Sequence, residues 1–165
     1  MKRRELALVL LAGVMLVPAS VSAHCEIPCG IYGDQMRVDQ IAEHITTVEK
    51  SMKEITELGQ ADEPNWNQLV RWVNNKELHA NKIQGIVSEY FLHQRVKPAD
   101  PSDSDAYTAY TTQLALLHQI AVHAMKAKQT TDLEHVVQLR SLLEKFKAAY
   151  FDPEKQAHLH EHHAR

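Results

Sequence analysis

Glycine, cysteine and aromatic residues are all scarce in this chain. Its 165 residues include 5 Gly and 2 Cys, and only 6% are aromatic, too little of the turn and strand formers that a sandwich or barrel of many short strands requires. Basic runs are missing as well. With 18 Lys+Arg against 21 Asp+Glu the formal charge is −3, which gives a polyanion-binding groove no electrostatic support and argues against nucleic acid as a partner. The one long apolar run lies at the extreme N-terminus. No other segment approaches the roughly 20 apolar residues of a membrane span, so no membrane association is expected once that run is removed. The whole chain is 44% hydrophobic and 24% charged, too apolar for a disordered acidic chain and of a length for one all-helical domain.

Residues 1–23 read as a secretory signal peptide. Lys2, Arg3 and Arg4 form a positive start, Leu6 to Val17 an apolar stretch of 12 residues, and Val21 and Ala23 occupy the small-residue positions that a signal peptidase reads. The rival reading is an uncleaved membrane anchor, for which 12 residues are short. Cleavage after Ala23 implies an exported protein, periplasmic or secreted. Removing three basic residues and one acidic residue takes Lys+Arg from 18 to 15 and Asp+Glu from 21 to 20, a formal charge of −5.

That cut makes His24 the first residue, followed by Cys25-Glu26-Ile27-Pro28-Cys29-Gly30-Ile31-Tyr32. Both cysteines lie in this stretch. In an exported protein two cysteines are ordinarily read as a disulfide, yet a bridge from Cys25 to Cys29 closes a very small terminal loop and constrains little of the unfolded chain. A metal site explains the residues better. Two thiolates, an imidazole and a new α-amino group at the same end form a compact donor set suited to Ni(II) or Cu(II), whereas structural zinc usually takes two separated ligand pairs.

The order His-Cys-x-x-Pro-Cys-Gly-x-Tyr at a processed N-terminus resembles the nickel hook of the nickel superoxide dismutases, with His24, Cys25, Pro28, Cys29, Gly30 and Tyr32 at its fixed positions. The resemblance implies superoxide as substrate, disproportionated to hydrogen peroxide and dioxygen through a Ni(II)/Ni(III) cycle, with one nickel per subunit. It implies metal ligation by the α-amino nitrogen and imidazole of His24, the backbone nitrogen and thiolate of Cys25 and the thiolate of Cys29. A homohexamer of four-helix bundles is implied as well.

Periodicity leads to the same architecture independently. Val38, Ile41, Ile45, Val48, Met52 and Ile55 recur at spacings of three and four between Met36 and Leu58, the mark of a helix with one buried stripe, and Asp34 is placed to cap it. Pro64 suits the first turn of a second helix carrying Trp66, Leu69, Val73, Ala80, Ile83, Val87 and Tyr90, with Lys76 on the same stripe. Val96 to Asp105 reads as a loop. Tyr107, Tyr110, Leu114, Leu117, Ala121 and Ala124 mark a third helix; Thr131-Asp132-Leu133-Glu134 reads as a capping box for a fourth, with Leu133, Val136, Leu143, Phe146 and Tyr150 inward. The expectation is an antiparallel up-down four-helix bundle over 34–152, with a hook at 24–33 and a His-rich tail at 153–165.

Around the hook, Tyr32 is the expected gate for a small anion. Ser88-Glu89-Tyr90-Phe91 is similar to a Ser-Asp-Tyr-Phe stretch of the family, which implies a hydrogen bond from Tyr90 to Tyr32; otherwise Tyr90 is core filler on its stripe. Aligning Arg37-Val38-Asp39 with the family's Arg-Ile-Glu, with one deletion after Tyr32, makes Asp39 a candidate for orienting the axial imidazole, against its alternative as a surface carboxylate. For a basic residue behind the site there are two candidates, Arg71 and Lys76. A buried Lys76 needs a reason, unless it snorkels to the surface.

His44, His79, His93, His118, His123 and His135 are scattered over the helices with surface or interface roles as the default. His158 to His163 form a run that either binds nickel or copper loosely or is simply solvated. Two rival functions use the same sequence: an exported nickel- or copper-binding storage or delivery protein without catalysis, and a helical interaction module with an incidental terminal disulfide.

Overall fold

The computed structural model describes residues 32–151. The expected signal peptide at 1–23, the expected hook ligands His24, Cys25 and Cys29, and the tail at 153–165 lie outside the described residues. Four helices follow in order: α1 (Asp34–Gly59), α2 (Trp66–Gly85, continued by a π-helical segment, Ile86–Arg95), α3 (Ser104–Gln129) and α4 (Glu134–Tyr150). There is no strand among the described residues. Each helix packs on its neighbour in sequence and α1 closes against α4, the up-down bundle that the periodicity predicts.

The stripes meet in one core. Val38, Ile41, Ile45, Val48 and Met52 of α1 are buried with Ala80, Ile83, Val87 and Tyr90 of α2, Leu117, Ile120 and Ala124 of α3, and Val136, Leu139, Leu143 and Phe146 of α4. Three expected core residues instead face outward: Trp66, at 68% exposure, with Tyr107 and Leu133. All three stand at the starts of their helices, where the stripe runs past the end of the core.

Helix starts also differ in detail from the sequence reading. Pro64 stands outside α2, one residue before the cap Asn65, whose side chain accepts from the Gln68 amide at 3.2 Å. The capping box of α4 is not formed. Asp132 accepts from the Glu134 amide at 2.9 Å instead, an Asx turn that satisfies an orphan donor before the threonine can. Gly33, not Asp34, holds the cap position of α1, and the Asp34 side chain is engaged elsewhere.

Lys76 acquires its reason. Its ammonium donates to the carbonyls of Lys128 at 2.6 Å and Thr130 at 3.0 Å, so a buried lysine on α2 satisfies backbone acceptors at the C-terminus of α3. It serves the bundle. Arg71, an exposed residue near the start of α2, lies toward the bundle end opposite the start of α1.

Candidate metal centre

The hook must join the bundle at the start of α1, and the antiparallel order brings the end of the π segment and the end of α4 to that place. Phe91, Phe146 and Tyr150 fill the floor, with Phe91 to Phe146 centroids 5.0 Å apart and Phe91 to Tyr150 5.5 Å. Edge-to-face aromatic pairs of this kind contribute about 0.5–1.5 kcal/mol beyond the area they bury. On this floor stands a polar cluster centred on Asp34.

Asp34 is held from three sides. Arg95 donates from Nε to Oδ1 at 2.8 Å and from Nη2 to Oδ2 at 2.7 Å, a bidentate pair. The Tyr150 hydroxyl donates to Oδ2 at 2.8 Å, and the Tyr90 hydroxyl donates to Oδ1. Burial pushes the Asp34 carboxyl up, but the hydrogen bonds from Arg95, Tyr90 and Tyr150 and the charge of Arg95 outweigh it and hold the group below its ordinary value. One negative and one positive group thus share the site without net charge. An ion pair supported by two further donors meets the condition under which partial burial of charge is tolerable.

Tyr90 links this cluster to the hook. Its oxygen accepts from the Gly33 amide at 2.9 Å while its proton goes to Asp34, so the residue directly after Tyr32 is tied to α2. Burial first, and then the Asp34 carboxylate, push the Tyr90 hydroxyl up to about 12, which keeps it protonated at neutral pH. The hydrogen bond expected from Tyr90 to Tyr32 is not formed. The two rings instead meet at 67° with centroids 6.2 Å apart, because Tyr90's hydroxyl is committed to Asp34 and Gly33.

Tyr32 is 47% exposed. The Arg95 guanidinium lies 4.3 Å from its ring centroid, within the range of a cation–π contact, and Arg37 lies 5.1 Å from the ring centroid of Tyr90. Asp39 is exposed and accepts from Gln35 Nε2 at 2.8 Å. Five residues on an α-helix turn about 140°, so Asp39 faces away from the cluster that Asp34 faces.

Asp34, Arg95 and Tyr150 escaped the sequence reading as site residues. Asp34 lies four before Val38, on the buried stripe, and Tyr150 four after Phe146; those spacings were readable. Arg95 lies five after Tyr90, a spacing that diverges on an α-helix and converges only in the i to i+5 register of the π segment. That register is seen where the Val96 amide donates to the Phe91 carbonyl at 2.8 Å.

Among the described residues no group of three or more His, Cys, Asp or Glu side chains could hold a metal ion. The donor set at His24, Cys25 and Cys29 is of the kind that fits nickel, since soft thiolates combine with nitrogen donors in one short segment. No curated protein and no solved structure matches the chain. The sequence profile of the family described as nickel-containing superoxide dismutase matches residues 19–154, which takes in the hook motif, Tyr32, the Asp34 cluster and all four helices, and the chain therefore belongs to that family.

Proposed function

We propose that the family's reaction, in which two superoxide anions and two protons give hydrogen peroxide and dioxygen, is carried in this chain by His24, Cys25 and Cys29 as nickel ligands with Tyr32 at the open side. The observation that supports it most is the family match extending through the hook into the bundle. Nickel in such a thiolate and amide set supplies a one-electron couple lying between the two half-reactions of superoxide. The chain's own residues do the rest. Tyr32, half-exposed beside Arg95, presents a hydroxyl that can hydrogen-bond a small anion. Tyr90 supports it by holding Gly33 in place. Asp39, on the solvent face, remains a proposed second partner for the His24 imidazole on the strength of the alignment alone.

Export to the periplasm or beyond is proposed from the leader and its cleavage after Ala23, which also creates the terminal amine that the hook needs. The homohexamer is proposed from the family resemblance. Trp66 and Val70 of α2 are exposed in the single chain, apolar surface of a kind that assembly can cover. No finding favours the non-catalytic storage or delivery reading.

Stopped-flow decay of superoxide tests the proposal. The processed, nickel-loaded protein is expected to catalyse the decay, and Cys29→Ser to lose both the metal and the activity. Decay at the uncatalysed rate with nickel bound would overturn it.

A further inference from the structure

We propose that Arg95 is a positioning residue for Tyr32: clamped by Asp34, its guanidinium fixes the Tyr32 ring where the hook leaves the bundle, and it acts on the chemistry only through that ring. The inference rests on the proposed role of Tyr32, but its geometry stands apart from the metal. Three contacts define it. Arg95 is bound to both oxygens of Asp34, its Cζ lies 4.3 Å from the Tyr32 centroid, and the edge-to-face contact with Tyr90 supports the same ring.

The planar fork matters here. Two parallel hydrogen bonds to a carboxylate set the plane of the guanidinium, and a flat, weakly hydrated cation then lies against an aromatic ring in a way that a lysine ammonium cannot reproduce. Asp34 is itself fixed by Tyr150 and Tyr90, so the plane is set from α1, α2 and α4 together. The π segment is what delivers Arg95 to this position beside Tyr90. Tyr32 is thus the one tyrosine of the cluster whose hydroxyl is not engaged with Asp34, and its ring is the one that Arg95 faces.

The test is a double-mutant cycle between Arg95→Lys and Tyr32→Phe, read two ways on the full processed protein. Arg95→Lys keeps the charge opposite Asp34, so the bundle retains its ion pair. The first readout is 19F NMR of protein labelled with fluorotyrosine, whose five tyrosines give five lines; the Tyr32 line is identified by its loss in Tyr32→Phe. In Arg95→Lys that line is expected to move toward the free-tyrosine position while those of Tyr107 and Tyr110 stay. The second readout is kcat/KM for superoxide at equal nickel content. Arg95→Lys is expected to lose about ten-fold, as a misplaced group does, and the double variant to be no slower than Tyr32→Phe alone. An unmoved Tyr32 line overturns the proposal, as do losses that multiply in the double variant. If the wild type proves inactive the dismutase reading fails, yet the Tyr32 line still decides whether Arg95 positions the ring.

Discussion

At the first turn of α1 the Asp34 carboxylate takes hydrogen bonds from three side chains on two other helices. Asp34→Asn keeps the shape but leaves Arg95 without its counter-charge in a site where the two side chains are 27% and 17% exposed. The expected cost is about 2 kcal/mol, between a neutral hydrogen bond and a fully buried pair, seen as a lower urea midpoint at pH 7. An unchanged midpoint would mean that solvent replaces the carboxylate. Lys76 gives the complementary case, because its ammonium serves only backbone carbonyls of α3 and its linker. Lys76→Met is expected to destabilise by about 1–3 kcal/mol, the cost of buried acceptors left unpaired, while nickel content stays the same. Loss of nickel at unchanged stability would instead return Lys76 to the metal site.

Between elements, His44 of α1 and His79 of α2 place their Nδ1 atoms 3.1 Å apart, a cross-helix pair that spacing within either helix could not reveal. Burial, then His79 and Lys82, push the His44 imidazole down to about 4, and burial with Lys82 lowers His79 as well. Each ring therefore takes up a proton less readily in the fold than in the unfolded chain. The His44 contribution is fully present above about 6.5, the ordinary histidine value, and is lost as pH falls from there toward 4; the lowered His79 acts in the same direction. The urea midpoint is expected to fall over that range, and His44→Gln to flatten the fall; an equally steep fall in the variant would place its origin elsewhere. Gly85, at the junction of α2 with the π segment, has helical backbone angles and open space where a Cβ would stand. Gly85→Ala is accordingly expected to raise stability by about 0.5–1 kcal/mol, and a loss would show that the junction needs a glycine's freedom. The elements themselves were legible because burial imposes a 3.6-residue period on every α-helix, which is how Val38 to Met52 and Val136 to Phe146 announce their stripes. Caps were less legible, since Asp132 and Asp34 each had competing partners that only the fold brings near. Arg95 was hidden for a geometric reason: the π register that carries it to Asp34 leaves no mark in an α-helical period.

For the whole molecule, the bundle serves to present one end. The helix order gathers the start of α1, the end of the π segment and the end of α4 around Asp34, and Tyr32 and Gly33 are fastened there. The ligands proposed for nickel lie just ahead in sequence, and the terminal amine among them requires the proposed cleavage after Ala23. Family membership and fold thus make the state of residue 24 the point on which the proposed function turns. Native mass spectrometry of the protein from its own host measures that state and the metal together. A chain beginning at His24 and carrying one nickel is the result expected. A chain that keeps its leader, or one cut elsewhere with Cys25 and Cys29 joined as a disulfide and no nickel bound, would contradict the account.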